Sequence, residues 1–203
     1  MNKTRFEAFS DGVFAFSATL LVLGFVLPQL HYTSDRLLAP ALLRLWPNLI
    51  AYTLSFSVIG IMWQNHHALF RLVARIDRTT VFLNLLLLAG TAFIPFATSV
   101  LGANPTLKSS TFLYGLALST TGTCYNLMLN RLVSARAFAP SVSQQTIRST
   151  VTAYRVGWVT YVAATVVALF FPIAAFAMYL AIAAYYLVPR GVDADIDASP
   201  DSG

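Results

Sequence analysis

Residues 9–28 read FSDGVFAFSATLLVLGFVLP, and after Ser10 and Asp11 no charged side chain follows until past position 30. A run of that length meets the roughly 20 residues an α-helix needs to cross a bilayer. The carboxylate at its mouth must then be held at the interface, paired with a neighbour, or used.

Four more uncharged stretches follow, at 45–70, 79–107, 109–130 and 156–189. Composition agrees with them. Of 203 residues, 57% are hydrophobic and 10% charged, with a mean hydropathy of +0.68, whereas a soluble domain carries roughly 25% charged residues. The chain therefore reads as an all-α, polytopic membrane protein. At about 1.5 Å per residue the last stretch would run to roughly 50 Å, too long for a hydrocarbon layer of roughly 30 Å. Phe170-Phe171-Pro172-Ile173 marks a turn within it, because proline disfavours helical geometry in the preceding residue. The expectation is six spans within residues 1–190, the fifth starting near Arg148 and the sixth short, with Pro47 near the start of the second and Pro95 inside the third. A short acidic tail follows over residues 191–203, with Asp193, Asp195, Asp197 and Asp201. Five spans with a kinked last helix is the competing count.

Lys3 and Arg5 precede the first run. Arg71, Arg75 and Arg78 follow the second, Arg131, Arg136 and Arg148 separate the fourth and fifth, and Arg190 follows the last. The opposite side carries mainly Arg36, Arg44 and Lys108. That bias puts both termini in the cytoplasm and favours an even number of spans. The formal net charge of +5 thus belongs to loops that meet anionic lipid rather than nucleic acid. No small-residue cleavage site clearly follows the first run, so a cleavable signal is not expected. Cys124 stands alone, which excludes an internal disulfide and leaves packing as its role. No P-loop, dinucleotide fingerprint, nucleophile-His-Asp context or carbonyl-filter motif appears, and the tail aspartates lack the glutamate of a calcium loop. Neither catalysis, nor a cofactor, nor a structural metal is expected.

On a helix, Gly12, Phe16, Leu20, Leu23 and Leu27 share a broad stripe, with Thr19 beside it. Such a stripe is ordinarily a packing or lipid face. In an oligomer it can instead surround an axis with rings of bulky apolar groups, making a dewetted constriction. Asp11 lies roughly 140° from Phe16 around the helix and is expected against neighbouring protein. The second run ends in Trp63-Gln64-Asn65-His66-His67 on the same side of the membrane. Ser10, Asp11, Asn65 and one of the histidines can therefore form an interhelical network. Interfacial anchoring is the plainer reading of the histidines, and a proton-sensitive gate is another. Adjacent histidines point about 100° apart, with no cysteine or carboxylate at useful spacing, which argues against zinc. Gly115, Ser119 and Gly122 offer a close-packing face. Asn126 and Asn130 face candidate partners Tyr154 and Arg155.

Arg5, Phe9-Ser10-Asp11-Gly12, Thr19-Leu20-Leu21 and Trp63-x-x-His66-His67-x-x-Phe70 together resemble bacterial members of the endosomal and lysosomal transmembrane potassium channel family. The resemblance implies a homotetramer in the bacterial plasma membrane, with helix one of each subunit lining a central cation path. It implies a hydrophobic constriction at Phe16, Leu20 and Leu23, and a Thr19 hydroxyl available to a partly dehydrated cation. Arg5, Ser10, Asp11 and His66 would belong to the network that holds the pore helix. Phe16 departs from the branched aliphatic residue usual at the first constriction position. Potassium, and to a lesser degree sodium, would be the permeating ions, with membrane lipids as the other partners. From the residues alone, a small secondary transporter and a non-conducting scaffold stay open beside the channel.

Overall fold

The computed structural model describes residues 3–25 and 31–187. Leu27, Arg190 and the acidic tail lie outside the described residues. Helix α1 is Lys3–Leu20 and runs on into a 3₁₀ turn, Leu21–Gly24. The short α2 (Asp35–Leu43) precedes α3 (Trp46–Leu72), α4 (Arg78–Ala103), α5 (Lys108–Ser134), α6 (Gln144–Ala168) and α7 (Pro172–Leu187).

The helix starts follow from local chemistry. Pro47 sits in the first turn of α3, where its missing N–H removes no helical bond. Asp77 caps α4, accepting from the Thr80 N–H at 2.8 Å and the Thr80 hydroxyl at 2.7 Å. Ser143 caps α6 by accepting from the Thr146 N–H at 3.0 Å. The fifth long helix therefore starts at Gln144, a turn before the expected Arg148: charge marks where a span enters lipid, but the cap marks where the helix begins. Pro172 opens α7 after the expected break at Phe170-Phe171. Pro95 lies inside α4 without ending it.

In a bilayer every polar group must be satisfied within the protein. Many buried serine and threonine hydroxyls meet that demand by bonding back to carbonyls one turn earlier: Ser17 to Val13 O at 2.7 Å, Thr91 to Leu87 O at 3.0 Å, Thr121 to Ala117 O at 2.7 Å. Others stitch helices together. Thr98 donates to Ser55 at 2.7 Å, and Ser55 lies 3.0 Å from the Tyr114 hydroxyl. Small residues permit these close approaches. A Cβ at Gly115 would lie 2.0 Å from the Tyr179 hydroxyl and 2.5 Å from that of Thr165.

Helix α1 packs on α3 and α4, while α6 packs on α5 and α7. Among the described residues, three helical segments can cross a membrane by length and composition: Lys3–Gly24, Arg78–Ala103 and Gln144–Ala168. The pair α2 and α3, bent by 44°, makes a fourth when taken as one broken span. Helix α5 is as long as α3 but diluted by serines and threonines, and α7 has only 16 residues. The chain is thus an all-α, multi-pass membrane protein.

Candidate pore-lining helix

Helix α1 has two chemically distinct faces. Phe6, Ser10, Phe14, Ser17 and Leu21 are buried, at spacings of three and four that keep one side against α3 and α4. Arg5, Phe9, Gly12, Phe16, Thr19 and Leu23 recur with the same rhythm on the other side, and all are exposed. Phe16 is 64% and Leu23 70% exposed, values reversed from those of core residues. Leu20 is half-buried at the edge of this stripe. The Thr19 hydroxyl donates to Phe16 O at 2.8 Å, so its proton is occupied and its oxygen lone pairs are directed away from the backbone. Beyond Leu20 the 3₁₀ turn takes over, and in that geometry residues three apart eclipse one another. Leu23 consequently stands above Leu20.

The buried face ends in a polar chain within an aromatic shell. Ser10 donates to Phe6 O at 3.0 Å. The Asn84 amide on α4 donates to Ser10 Oγ at 3.0 Å, and its Oδ1 lies 2.9 Å from His66 Nε2 on α3. Three helices are thereby joined through one amide. Phe6, Phe14 and Phe70 enclose the His66 ring at centroid distances of 6.1, 5.4 and 4.6 Å.

The expected network is thus assembled differently from the sequence reading. Ser10 and His66 come together only through Asn84. Asp11 is held separately, accepting from the Trp63 indole N–H at 2.9 Å. Asn65 contributes its backbone carbonyl, which accepts from the Tyr154 hydroxyl at 3.2 Å. Arg5 is exposed on the open stripe. The Asn130 and Arg155 pairing does form, Arg155 Nη2 donating to Asn130 Oδ1 at 3.1 Å, whereas Asn126 bonds back to Gly122 O at 3.0 Å. Asn84 was detectable in the sequence as a single amide inside VFLNLLLLAG, where an apolar run ordinarily has no place for one.

The base of α1 is tied to the connections beneath the bundle. Lys3 Nζ donates to Val73 O, at the end of α3, at 2.8 Å. Ala74 N–H donates to Ala137 O at 2.8 Å, and Ala139 N–H to Leu72 O at 2.9 Å, joining the α3–α4 and α5–α6 connections. Asp77 accepts a short hydrogen bond from Arg131 Nη2 and another from Nε at 2.9 Å. Arg131, then Thr80, hold the Asp77 carboxyl down at about 2. Among the described residues no cluster of three or more His, Cys, Asp or Glu side chains is placed to hold a metal ion.

The profile of the family described as "Endosomal/lysosomal potassium channel TMEM175" matches residues 5–95, which contain most of α1, all of α2 and α3, and most of α4. A potassium channel of Streptomyces collinus is 50% identical over 102 residues, about half of each chain at 50% and 48%. A potassium channel of a Chryseobacterium species is 31% identical over 189 residues, covering 93% of this chain and 94% of its own. The chain belongs to the TMEM175 family. The crystal structure of a lysosomal potassium-selective channel TMEM175 homolog from Chamaesiphon minutus superposes with a TM-score of 0.82 at 30% identity, covering 92% of this chain and 96% of that one. This TMEM175 chain is a bacterial-type member of a channel family, not an enzyme, and a multi-pass protein of the plasma membrane.

Proposed function

We propose that the chain forms a potassium-permeable cation channel, a homotetramer in which α1 of each subunit lines a central path. The stripe Arg5, Phe9, Gly12, Phe16, Thr19 and Leu23 carries the reading. It runs the length of a candidate span, yet among the described residues no other helix covers it. The proposed constriction is Phe16, Leu20 and Leu23, whose apolar rings hold water poorly and so close the path by dewetting. Thr19 supplies the hydroxyl oxygen that a partly dehydrated cation meets between those rings. Leucine offers a cation no ligand and phenylalanine only its π face, so selectivity for potassium over sodium is modest and rests on size, dehydration and Thr19. Ser10 and His66, joined by Asn84, together with Asp11 and Trp63, position α1 rather than touch the ion. Asn65 and Arg5 flank that arrangement.

The proposed topology has six spans, α1, α3, α4, α5, α6 and α7, with both termini cytoplasmic. Support comes from the cations: Lys3 reaches the α3–α4 connection, and that connection bonds to the α5–α6 connection. The arginine-rich loops therefore gather at one end of the bundle, as the positive-inside rule requires.

Reconstituted protein, recorded under bi-ionic potassium and sodium conditions, tests the reading. A reversal potential favouring potassium is expected, with altered conductance in Phe16→Ala, Leu20→Ala or Leu23→Ala at unchanged assembly. Silence of well-folded protein in several lipid mixtures overturns the channel reading. Current indifferent to all three substitutions moves the pore off these residues.

A further inference from the structure

Arginine inside a span is expensive unless something neutralises it. Arg155 lies on α6, seven residues beyond Arg148 and thirteen before the helix ends at Ala168. At about 1.5 Å per residue it stands roughly 10 Å deeper than Arg148 and roughly 20 Å from the far end of the helix. A hydrocarbon layer of roughly 30 Å that ends near Ala168 therefore includes it. Both arginines are exposed. Asn130, a neutral amide, is the hydrogen-bond partner of Arg155, and the ion pairs among the described residues involve neither arginine. Seven residues bring the two onto one helix face. Between them lie Ser149 and Thr152, whose hydroxyl protons go to Thr146 O at 2.9 Å and Arg148 O at 2.9 Å. The surface between them is open and is formed by Gln145, Arg148, Ser149, Thr152 and Ala153, all of α6. Beyond it, away from the loop, the same helix turns apolar: Val156, Val159 and Val166 are 57%, 55% and 52% exposed.

A cationic foot beneath an apolar track has the profile of one class of molecule. We infer that the Arg148–Arg155 face of α6 binds an anionic phospholipid, its phosphate between the two guanidinium groups and an acyl chain along the valines. A second copy of the chain fits less well. Helix α6 packs on α5 and α7, while α1 packs on α3 and α4, so in an assembly around α1 this face is turned outward to lipid. The inference rests on α6 as a membrane span. Which leaflet is involved, the cytoplasmic one on the topology proposed above, does not affect the binding test.

The test is native mass spectrometry of the intact purified channel, titrated with phosphatidylglycerol and, separately, phosphatidylcholine of the same acyl chains. Phosphatidylglycerol is expected to bind preferentially. Arg148→Gln with Arg155→Gln should weaken it about 30-fold, two cation–headgroup contacts together, and leave phosphatidylcholine unchanged. Arg148→Lys with Arg155→Lys, which keeps both charges, should retain most of the affinity and guards against misfolding of the glutamine pair. Arg71→Gln with Arg75→Gln, at the end of α3 and in the loop that follows it, should change nothing. Equal weakening by the loop pair, no preference for the anionic lipid, or competition by soluble glycerol phosphate at the same concentration each overturns the site. Currents recorded on the same variants separate the readings: lost lipid preference with intact current sinks this inference alone, and lipid binding to a silent channel sinks only the conduction reading.

Discussion

Asn84→Leu should isolate the amide that joins three helices. The substitution keeps the branching and the number of side-chain heavy atoms, so it opens no cavity and the loss is chiefly polar, with some overpacking from the bulkier methyl groups. Ser10 still donates to Phe6 O and forfeits only an incoming bond, worth about 0.5–1.5 kcal/mol. His66 is 1% exposed and enclosed by three phenylalanine rings, so its Nε2 has no water to turn to. A buried polar group left unpaired costs about 1–3 kcal/mol. Interhelical hydrogen bonds in membranes average nearer 0.6 kcal/mol, which pulls the expected total to about 2 kcal/mol. Unfolding of the reconstituted protein, followed by steric trapping or denaturant titration, would measure it. The decisive comparison is a double-mutant cycle with His66→Phe. Once both partners are apolar no group is left stranded, so the double variant should be more stable than Asn84→Leu alone. If the two effects simply add, or if Asn84→Leu costs less than about 0.5 kcal/mol, the amide is not the tie described here.

Thr19→Val, which keeps the side-chain shape and removes the oxygen, should bring the potassium-to-sodium permeability ratio toward one without disturbing assembly; bi-ionic reversal potentials check it, and an unchanged ratio moves selectivity elsewhere. Gly115→Ala would push a methyl to within 2.0 Å of the Tyr179 hydroxyl, so overpacking should destabilise by about 1–3 kcal/mol, with Tyr179→Phe recovering part of the thermal stability. Asp77, held at about 2 by Arg131 and Thr80, is lowered by folding. Its stabilising contribution is therefore full above the ordinary carboxylate range near pH 4 and fades as pH falls toward the folded value. Asp77→Asn should flatten that acid limb of an unfolding-midpoint curve, and an identical limb in the variant would refute the assignment.

The long helices were readable because lipid excludes charge, and 12–30, 45–70 and 79–107 contain none. The turn at Phe170-Phe171-Pro172 was readable because a bilayer has a fixed thickness. Helix boundaries were less so: Gln144 begins α6 because Ser143 caps it, and nothing in hydropathy registers a cap. The open stripe of α1 was visible as periodicity at Gly12, Phe16 and Leu23, whereas Thr19 stands on it and Leu20 at its edge, and its partner face was only half visible. His66 was singled out, whereas Asn84, the group that bonds it, sits among leucines that periodicity assigns to packing. Pairing Asp11 with Trp63 rather than with the histidines depended on which way each helix turns about its own axis, and helix count does not determine that. Arg131 reaching Asp77 across 54 positions is likewise a product of tertiary geometry.

The tightening of α1 at Leu21–Gly24 alters the vertical spacing of whatever that helix lines. Three residues of 3₁₀ helix rise about 6 Å, against about 4.5 Å in an α-helix. In the proposed four-fold arrangement the Leu20 and Leu23 rings would then stand on one vertical line, separated by about two diameters of a water molecule of roughly 1.4 Å radius. Such a barrier is two thin membranes with a chamber between them rather than one long plug. A hydrated ion would shed water at each ring in turn, with Phe16 below them, so widening any one ring would lower part of the barrier and change the conductance while the others still restrict the path.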